Sequence, residues 1–239
     1  MQQPVQPGET TPSRIRERLT QVQERLSTFA RTCERDPVDI QLIAVSKTRP
    51  AEEIRVAFEA GQRAFGENYL QEALPKIREL ADLPIEWHFI GRIQSNKTRD
   101  IAARFHWVHA LASAKHARRL SEQRPGELPP LQVCIQVNVS GEASKGGVAP
   151  EETAELARLV ATLPRLRLRG LMTMPPAGSS EAEQHRIFGV LRTLRDQLNA
   201  EEGLELDSLS MGMSGDMEAA VCEGATMVRI GTAIFGPRQ

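Results

Sequence analysis

Lys47 ends the apolar run Ile40-Gln41-Leu42-Ile43-Ala44-Val45-Ser46, and Thr48-Arg49-Pro50 follows it. The run reads as a buried strand, and Pro50 opens a helical pattern at Ala51. A primary amine at the carboxyl end of a strand stands where parallel sheets and barrels build their sites. Its chemistry there is addition to a carbonyl to give a Schiff base. Lysine is also scarce. It occurs at 47, 76, 97, 115 and 145 only, so 25 of the 30 basic residues are arginine. The plain alternative is a solvated strand-end lysine.

Two later segments have the form of a phosphate cradle. Ser210-Met211-Gly212-Met213-Ser214-Gly215-Asp216 ends one apolar stretch, and Arg229-Ile230-Gly231-Thr232 ends the next. Ser214 is expected to cap a helix, Gly215 to let backbone approach an anion, and Gly231-Thr232 to repeat this with a hydroxyl. Barrels place phosphate after strands seven and eight. Ordinary capping, with Ser214 as N-cap and Gly231 as a turn glycine, is the plain alternative. No GxGxxG follows a strand and no GxxxxGK[ST] occurs, so a dinucleotide or nucleoside triphosphate is not indicated. A lysine with a phosphate cradle points to a phosphorylated aldehyde or ketone. Pyridoxal 5′-phosphate and a class I aldolase substrate both fit. Facing a pyridine nitrogen, Arg229 would donate and keep that nitrogen unprotonated, which damps carbanion chemistry. Alternatively it pairs with a carboxylate, Glu67 or Asp216.

These residues need a scaffold, and the chain alternates strand and helix patterns. Strands are expected at 40–46, 63–66, 85–90, 106–109, 131–138, 166–172, 206–210 and 226–230. Helices are expected at 51–60, 69–80, 96–104, 113–124, 150–162, 180–200 and 214–223. A further helix comes first, capped by Ser13, with Ile15, Leu19, Val22, Leu26 and Phe29 on one stripe. Strict alternation means parallel strands joined by right-handed crossovers. The expected fold is α/β, a single (β/α)8 TIM barrel with an extra N-terminal helix; a doubly wound open sheet is the alternative. Residues 1–12 are expected to be a disordered leader and 13–239 the barrel domain.

Composition removes several function classes. Net charge is −1, so there is no basic footprint for nucleic acid or for an anionic membrane surface. Aromatics are 4%, too few for base-stacking platforms. No apolar stretch approaches a membrane span, and the polar, proline-containing start lacks a signal-peptide pattern. Cys33, Cys134 and Cys222 show no paired spacing, which argues against a disulfide scaffold and a zinc knuckle. Cys134 and Cys222 read as small core residues, and a reduced, cytoplasmic compartment is expected. His106 and His109 fall on opposite faces of a strand, so they do not converge on a metal, and no metal site is expected.

Five separated motifs resemble the YggS/PROSC-type pyridoxal phosphate homeostasis proteins. They are Val45-Ser46-Lys47-Thr48, Phe65-Gly66-Glu67-Asn68-Tyr69, the stretch from Trp87 through Gly91-Arg92 to Lys97, the stretch Leu209 to Asp216, and Val228 to Gly236. The likeness runs from about residue 14 to 238. It implies the barrel of alanine racemase, called fold type III among pyridoxal phosphate proteins, without that enzyme's C-terminal β-domain. By resemblance Lys47 holds the cofactor as an internal aldimine; Ser214, Gly231 and Thr232 contact the phosphate. Arg229 faces the pyridine nitrogen, and Asn68 and His88 stand near the cofactor. The resemblance further implies a carrier or regulator of the vitamin B6 pool without established turnover. Pyridoxal phosphate-dependent apo-enzymes are candidate partners, and a monomer is expected because the racemase dimer needs the β-domain. Alanine racemase also uses a tyrosine from its β-domain; Tyr69, the only tyrosine, does not occupy that place. A weak racemase-like activity from one base is the alternative. Lys97 and Lys145 are candidates for cofactor exchange, with solvated loop lysines as the favoured plain alternative.

Overall fold

The structure, a computed structural model, describes residues 12–142 and 146–237. The first 11 residues, which carry most of the expected leader, and Lys145 lie outside the described residues. Eight strands are found among the described residues. They are β1 (Gln41–Val45), β2 (Ala64–Glu67), β3 (Glu86–Phe89), β4 (Trp107–Leu111), β5 (Leu131–Gln136), β6 (Leu166–Met172), β7 (Ser208–Ser210) and β8 (Met227–Ile230). Each pairs with the next, and β8 returns to β1 through Leu42↔Val228 and Ile43↔Arg229, all in parallel. The crossovers are α2 (Ala51–Glu59), α3 (Leu70–Glu79), α4 (Thr98–Arg104), α5 (Ala114–Gln123), α6 (Thr153–Ala161), α7 (Glu181–Glu202) and α8 (Met217–Cys222). A long helix α1 (Pro12–Thr32) precedes the barrel and a short α9 (Thr232–Phe235) follows it. This is the expected (β/α)8 barrel and not an open sheet.

The pleat explains the layers. Successive strand residues alternate between the shell under the helices and the barrel interior. On β8, Val228 and Ile230 join the large core between strands and helices, while Met227 belongs to a second, inner cluster with Ile43, Ala64, Trp107, Cys134 and Met172. Burial on both faces is why these strands read as near-continuous apolar runs. Helix α1 lays Ile15, Leu19, Val22, Leu26 and Ala30 on α2, α8 and α9, the helices that flank the β1–β8 closure. Each large aliphatic on that stripe contributes about 1.5–3 kcal/mol.

Four local expectations are corrected. Helix α1 begins at Pro12, so Ser13 lies inside its first turn and not at the cap; proline suits the first helical position. Helix α8 begins at Met217 with Asp216 at its N-cap, so Ser214 caps nothing and lies in the preceding turn. The Asp216 carboxylate accepts the Met213 N–H, which closes that turn. The expected tail after β8 contains α9, four residues that are too few to show a period. Cys33 and Cys222 form a disulfide with Cα atoms 5.1 Å apart. It joins the end of α1 to the end of α8, a pairing across 189 residues of sequence that spacing cannot reveal. Cys134 remains a buried thiol; burial pushes its pKa up to about 12, which leaves it unreactive.

Candidate functional site

A cavity of about 320 Å³ opens at the carboxyl ends of the strands, within the size range of small-molecule sites. Lys47, Asn68, Ser214, Gly215, Arg229, Gly231 and Thr232 all line it. Ile90, Met174 and Met213 add an apolar wall. Seven of the eight residues singled out in the sequence therefore meet in one place.

Lys47 is held by the residues on either side of it. Ser46 Oγ donates to Glu67 Oε1 at 2.6 Å. Lys76 Nζ donates to the same oxygen at 2.8 Å and to the Ser46 carbonyl at 2.9 Å. Glu67 is fully buried, and burial raises its pKa against the opposing pull of Lys76 and Ser46. On the other side Thr48 has φ +62°, a left-handed backbone that a β-branched residue adopts only under constraint. The constraint is its own N–H, which donates to Glu72 Oε2 at 2.9 Å. Thr48→Gly should therefore raise stability by about 0.5–1 kcal/mol, because the relieved strain exceeds glycine's entropic cost. A urea midpoint at or below that of the parent would rule this out.

Glycine permits close backbone approach at two positions around the cavity. A Cβ on Gly231 would stand 3.1 Å from the Val45 carbonyl and 3.3 Å from Val45 Cβ, so glycine lets the end of β8 close on the end of β1. A Cβ on Gly91 would overlap the Asn68 carbonyl, so Gly91 seats the loop that carries Asn68. The Asn68 Oδ1 atom is buried and lacks a hydrogen-bond partner.

Arg229 is the charged floor of the cavity. Its Nη1 donates to Ser210 Oγ at 2.7 Å and its Nη2 to the Thr173 carbonyl at 3.1 Å. Burial pushes its pKa down to about 10, with Asp216 opposing, so it stays cationic at neutral pH. Of the two carboxylates considered as its partners, Glu67 instead takes Lys76, and Asp216 takes the Met213 N–H while acting on Arg229 through space.

His88 does not line the cavity. It points into the barrel below, with Nε2 2.6 Å from Glu86 Oε1 and Nδ1 2.9 Å from His109 Nε2. The reason is register: Ile90, one pleat further along, is the residue that reaches the mouth. Lys97 closes the 3-10 turn Ser95–Lys97 and is not among the lining residues. His106 and His109 do take opposite faces: His106 Nδ1 accepts the Trp87 N–H, while His109 turns inward. Among the described residues no group of three or more His, Cys, Asp or Glu side chains gathers as metal ligands, and no helix is long and apolar enough to cross a membrane.

Arg49 was missed. It lines the cavity, donates to the Gly236 carbonyl and, at 2.7 Å, to the Pro237 carbonyl, and pairs with Glu53 at 3.7 Å. It ties the Lys47 loop to the end of the barrel. Its place two residues after Lys47 was the available signal.

Residues 18–239 match the family described as alanine racemase, N-terminal domain. The pyridoxal phosphate homeostasis protein of Pseudomonas aeruginosa is 59% identical over 227 residues, covering 95% of this chain and 97% of that one. The protein of the same name from Escherichia coli K12 is 52% identical over 233 residues, covering 94% and 97%. PipY of Synechococcus elongatus, solved without pyridoxal phosphate, superposes with a TM-score of 0.84 at 41% identity, covering 93% of this chain and all of that one. Its pyridoxal phosphate-bound form superposes with a TM-score of 0.82 at 40% identity, with the same coverage. On the scale of its whole barrel, this chain belongs to the pyridoxal phosphate homeostasis protein family, built on the alanine racemase N-terminal domain.

Proposed function

We propose that this protein binds pyridoxal 5′-phosphate through a Schiff base to Lys47 and serves as a carrier and regulator of the cofactor pool without turnover of its own. The observation that carries the reading is the meeting of Lys47, Arg229 and the two phosphate-type loops in one cavity. The residues fit the group. Ser214, Gly215, Gly231 and Thr232 offer hydroxyls and uncrowded backbone amides to a phosphate. A Cβ on Gly215 would meet nothing within 4 Å, which leaves that turn open to a ligand, and Asn68 Oδ1 offers an unpartnered acceptor to the ring substituents. Arg229 offers only donors to a ring nitrogen. When bound, pyridoxal phosphate supplies a reversible carbonyl link and an electron-withdrawing ring.

The relatives' names, pyridoxal phosphate homeostasis proteins, support a role in managing the cofactor. The reading makes cofactor-depleted apo-enzymes the recipients and a monomer the working state; the Cys33–Cys222 disulfide removes the cysteine-based argument for a reduced compartment. Titrating the purified protein with pyridoxal phosphate should develop a visible absorption band. Borohydride reduction followed by peptide mapping should label Lys47. A protein that stays colourless, or a label on another lysine, would sink the proposal. Sustained racemisation of any amino acid well above the rate with free cofactor would sink the claim of no turnover.

A further inference from the structure

Four hydrogen bonds in series cross the barrel interior beneath the cavity. Arg229 Nη1 lies 2.7 Å from Ser210 Oγ, Ser210 Oγ 2.7 Å from His109 Nδ1, His109 Nε2 2.9 Å from His88 Nδ1, and His88 Nε2 2.6 Å from Glu86 Oε1. Ser210, His88 and His109 are fully buried and Arg229 nearly so. The chain begins at a residue that lines the cavity and ends at a carboxylate 38% exposed at the amino-terminal end of β3.

The direction of every proton follows from the arginine. A guanidinium has donors and no acceptor, so Ser210 Oγ accepts from it. The hydroxyl hydrogen is then left for His109 Nδ1. A neutral His109 that accepts at Nδ1 carries its proton on Nε2 and donates it to His88 Nδ1. His88 in turn carries its proton on Nε2 and donates it to the Glu86 carboxylate, which also accepts from Gln41 Nε2 at 3.1 Å. The opposite order would require a protonated Glu86 and leave the Ser210 hydroxyl hydrogen without an acceptor. Burial lowers the pKa of both imidazoles, and the His88 hydrogen bond lowers that of Glu86, which suits neutral rings and a charged carboxylate. Trp107 stacks on His88 with ring centres 5.7 Å apart and planes 7° from parallel, which restrains the ring.

We propose that His109 and His88 are positioning residues: as neutral Nε2–H tautomers they carry a one-way chain of donors from Arg229 to Glu86, fixing the guanidinium edge that faces the cavity and favouring a ligand with a hydrogen-bond acceptor there. The ligand half of this rests on the reading of the cavity as a pyridoxal phosphate site. Buried polar chains in which every member is satisfied are rigid, and each bond polarises the next. Nη1 and Nη2 are committed to Ser210 and Thr173, so the orientation of the ligand-facing edge depends on Ser210, and that of Ser210 on His109.

Nitrogen-15 spectra of the histidine-labelled protein without ligand should place His88 and His109 in the neutral Nε2–H form at neutral pH. A charged ring or an Nδ1–H tautomer at either position overturns the donor order. His109→Leu should weaken pyridoxal phosphate binding about tenfold, the loss expected when a hydrogen bond supporting a charged group is broken. His109→Gln should stay within about threefold of the parent, because a carboxamide accepts from Ser210 and donates to His88. The parent should discriminate against the ring N-methylated analogue of pyridoxal phosphate, and His109→Leu should discriminate less. Should His109→Leu fail to fold, Glu86→Gln supplies the second variant: its amide oxygen still accepts from His88, so the His88 tautomer should persist. A flipped His88 in that variant, or equal binding by all the His109 variants, overturns the proposal. A parent chain that takes up no pyridoxal phosphate overturns the functional reading and the ligand half of this one. The ligand-free spectra then decide the donor order by themselves.

Discussion

Lys47→Ala should leave the barrel folded and weaken pyridoxal phosphate binding by about a hundredfold or more, roughly 2.7 kcal/mol. The backbone at this position is held from outside the side chain: Lys76 Nζ bonds the Ser46 carbonyl, and Glu72 holds the Thr48 N–H. The substitution therefore removes the amine without removing what shapes the loop, and the thermal midpoint should move little. The phosphate-type loops remain, so weak and colourless binding should persist. Equilibrium dialysis measures the affinity, and the visible band measures the covalent part. Binding equal to that of the parent, with the band intact, would mean that another amine captures the ligand. A collapse in thermal midpoint would mean that Lys47 is structural.

Lys76→Met should destabilise the fold by about 3–5 kcal/mol, because it leaves a buried carboxylate without its cation. For a chain of this size that is roughly 6–20 °C in thermal midpoint. Glu67 has no exposed side-chain surface, and its Oε2 already lacks a partner. Its pKa is raised by burial, and Lys76 is the largest influence holding it down. Without Lys76 the folded-state value climbs further above the usual 4.5. The folded state then binds this proton more tightly than the unfolded chain does. The variant should be closest to the parent below the ordinary carboxyl pKa. It should lose stability as pH rises through the raised folded value and level off above it. Urea midpoints from acid to neutral pH measure this. A destabilisation equal at every pH would assign the loss to packing. Adding Glu67→Gln should recover most of the stability at neutral pH, since the buried charge is gone.

Strand order and closure were legible because parallel strands buried on both faces leave apolar runs, and eight such runs alternated with helical periods. All eight strands fall within two residues of their expected limits. Residues at the mouth were legible for the same reason: the carboxyl end of a strand is where a barrel exposes side chains, so Lys47, Asn68, Gly231 and Thr232 could be placed by position alone. Depth was harder. His88 lies within β3 and Ile90 just past its end, two residues nearer the mouth, and where the strand stops decides which of them lines the cavity. Ser214 looked like a cap because serine precedes a helical pattern, yet the aspartate two residues later stands at the cap and also closes the turn. The Cys33–Cys222 pair and the Arg49 contacts depend on where the two ends of the chain meet, which no local pattern records.

The closure of β8 on β1 has a temporal meaning. During synthesis Lys47 emerges early, and Arg229, Gly231 and Thr232 follow about 180 residues later. At about 5–20 residues per second, on the order of ten to thirty seconds separate the amine from the partners that complete its cavity. Through that interval the growing chain carries Lys47 but no enclosed receptacle around it. The ligand-binding function is therefore a property of the finished chain alone, since a truncated product ending before β8 would keep Lys47 and lack the floor that Arg229 provides.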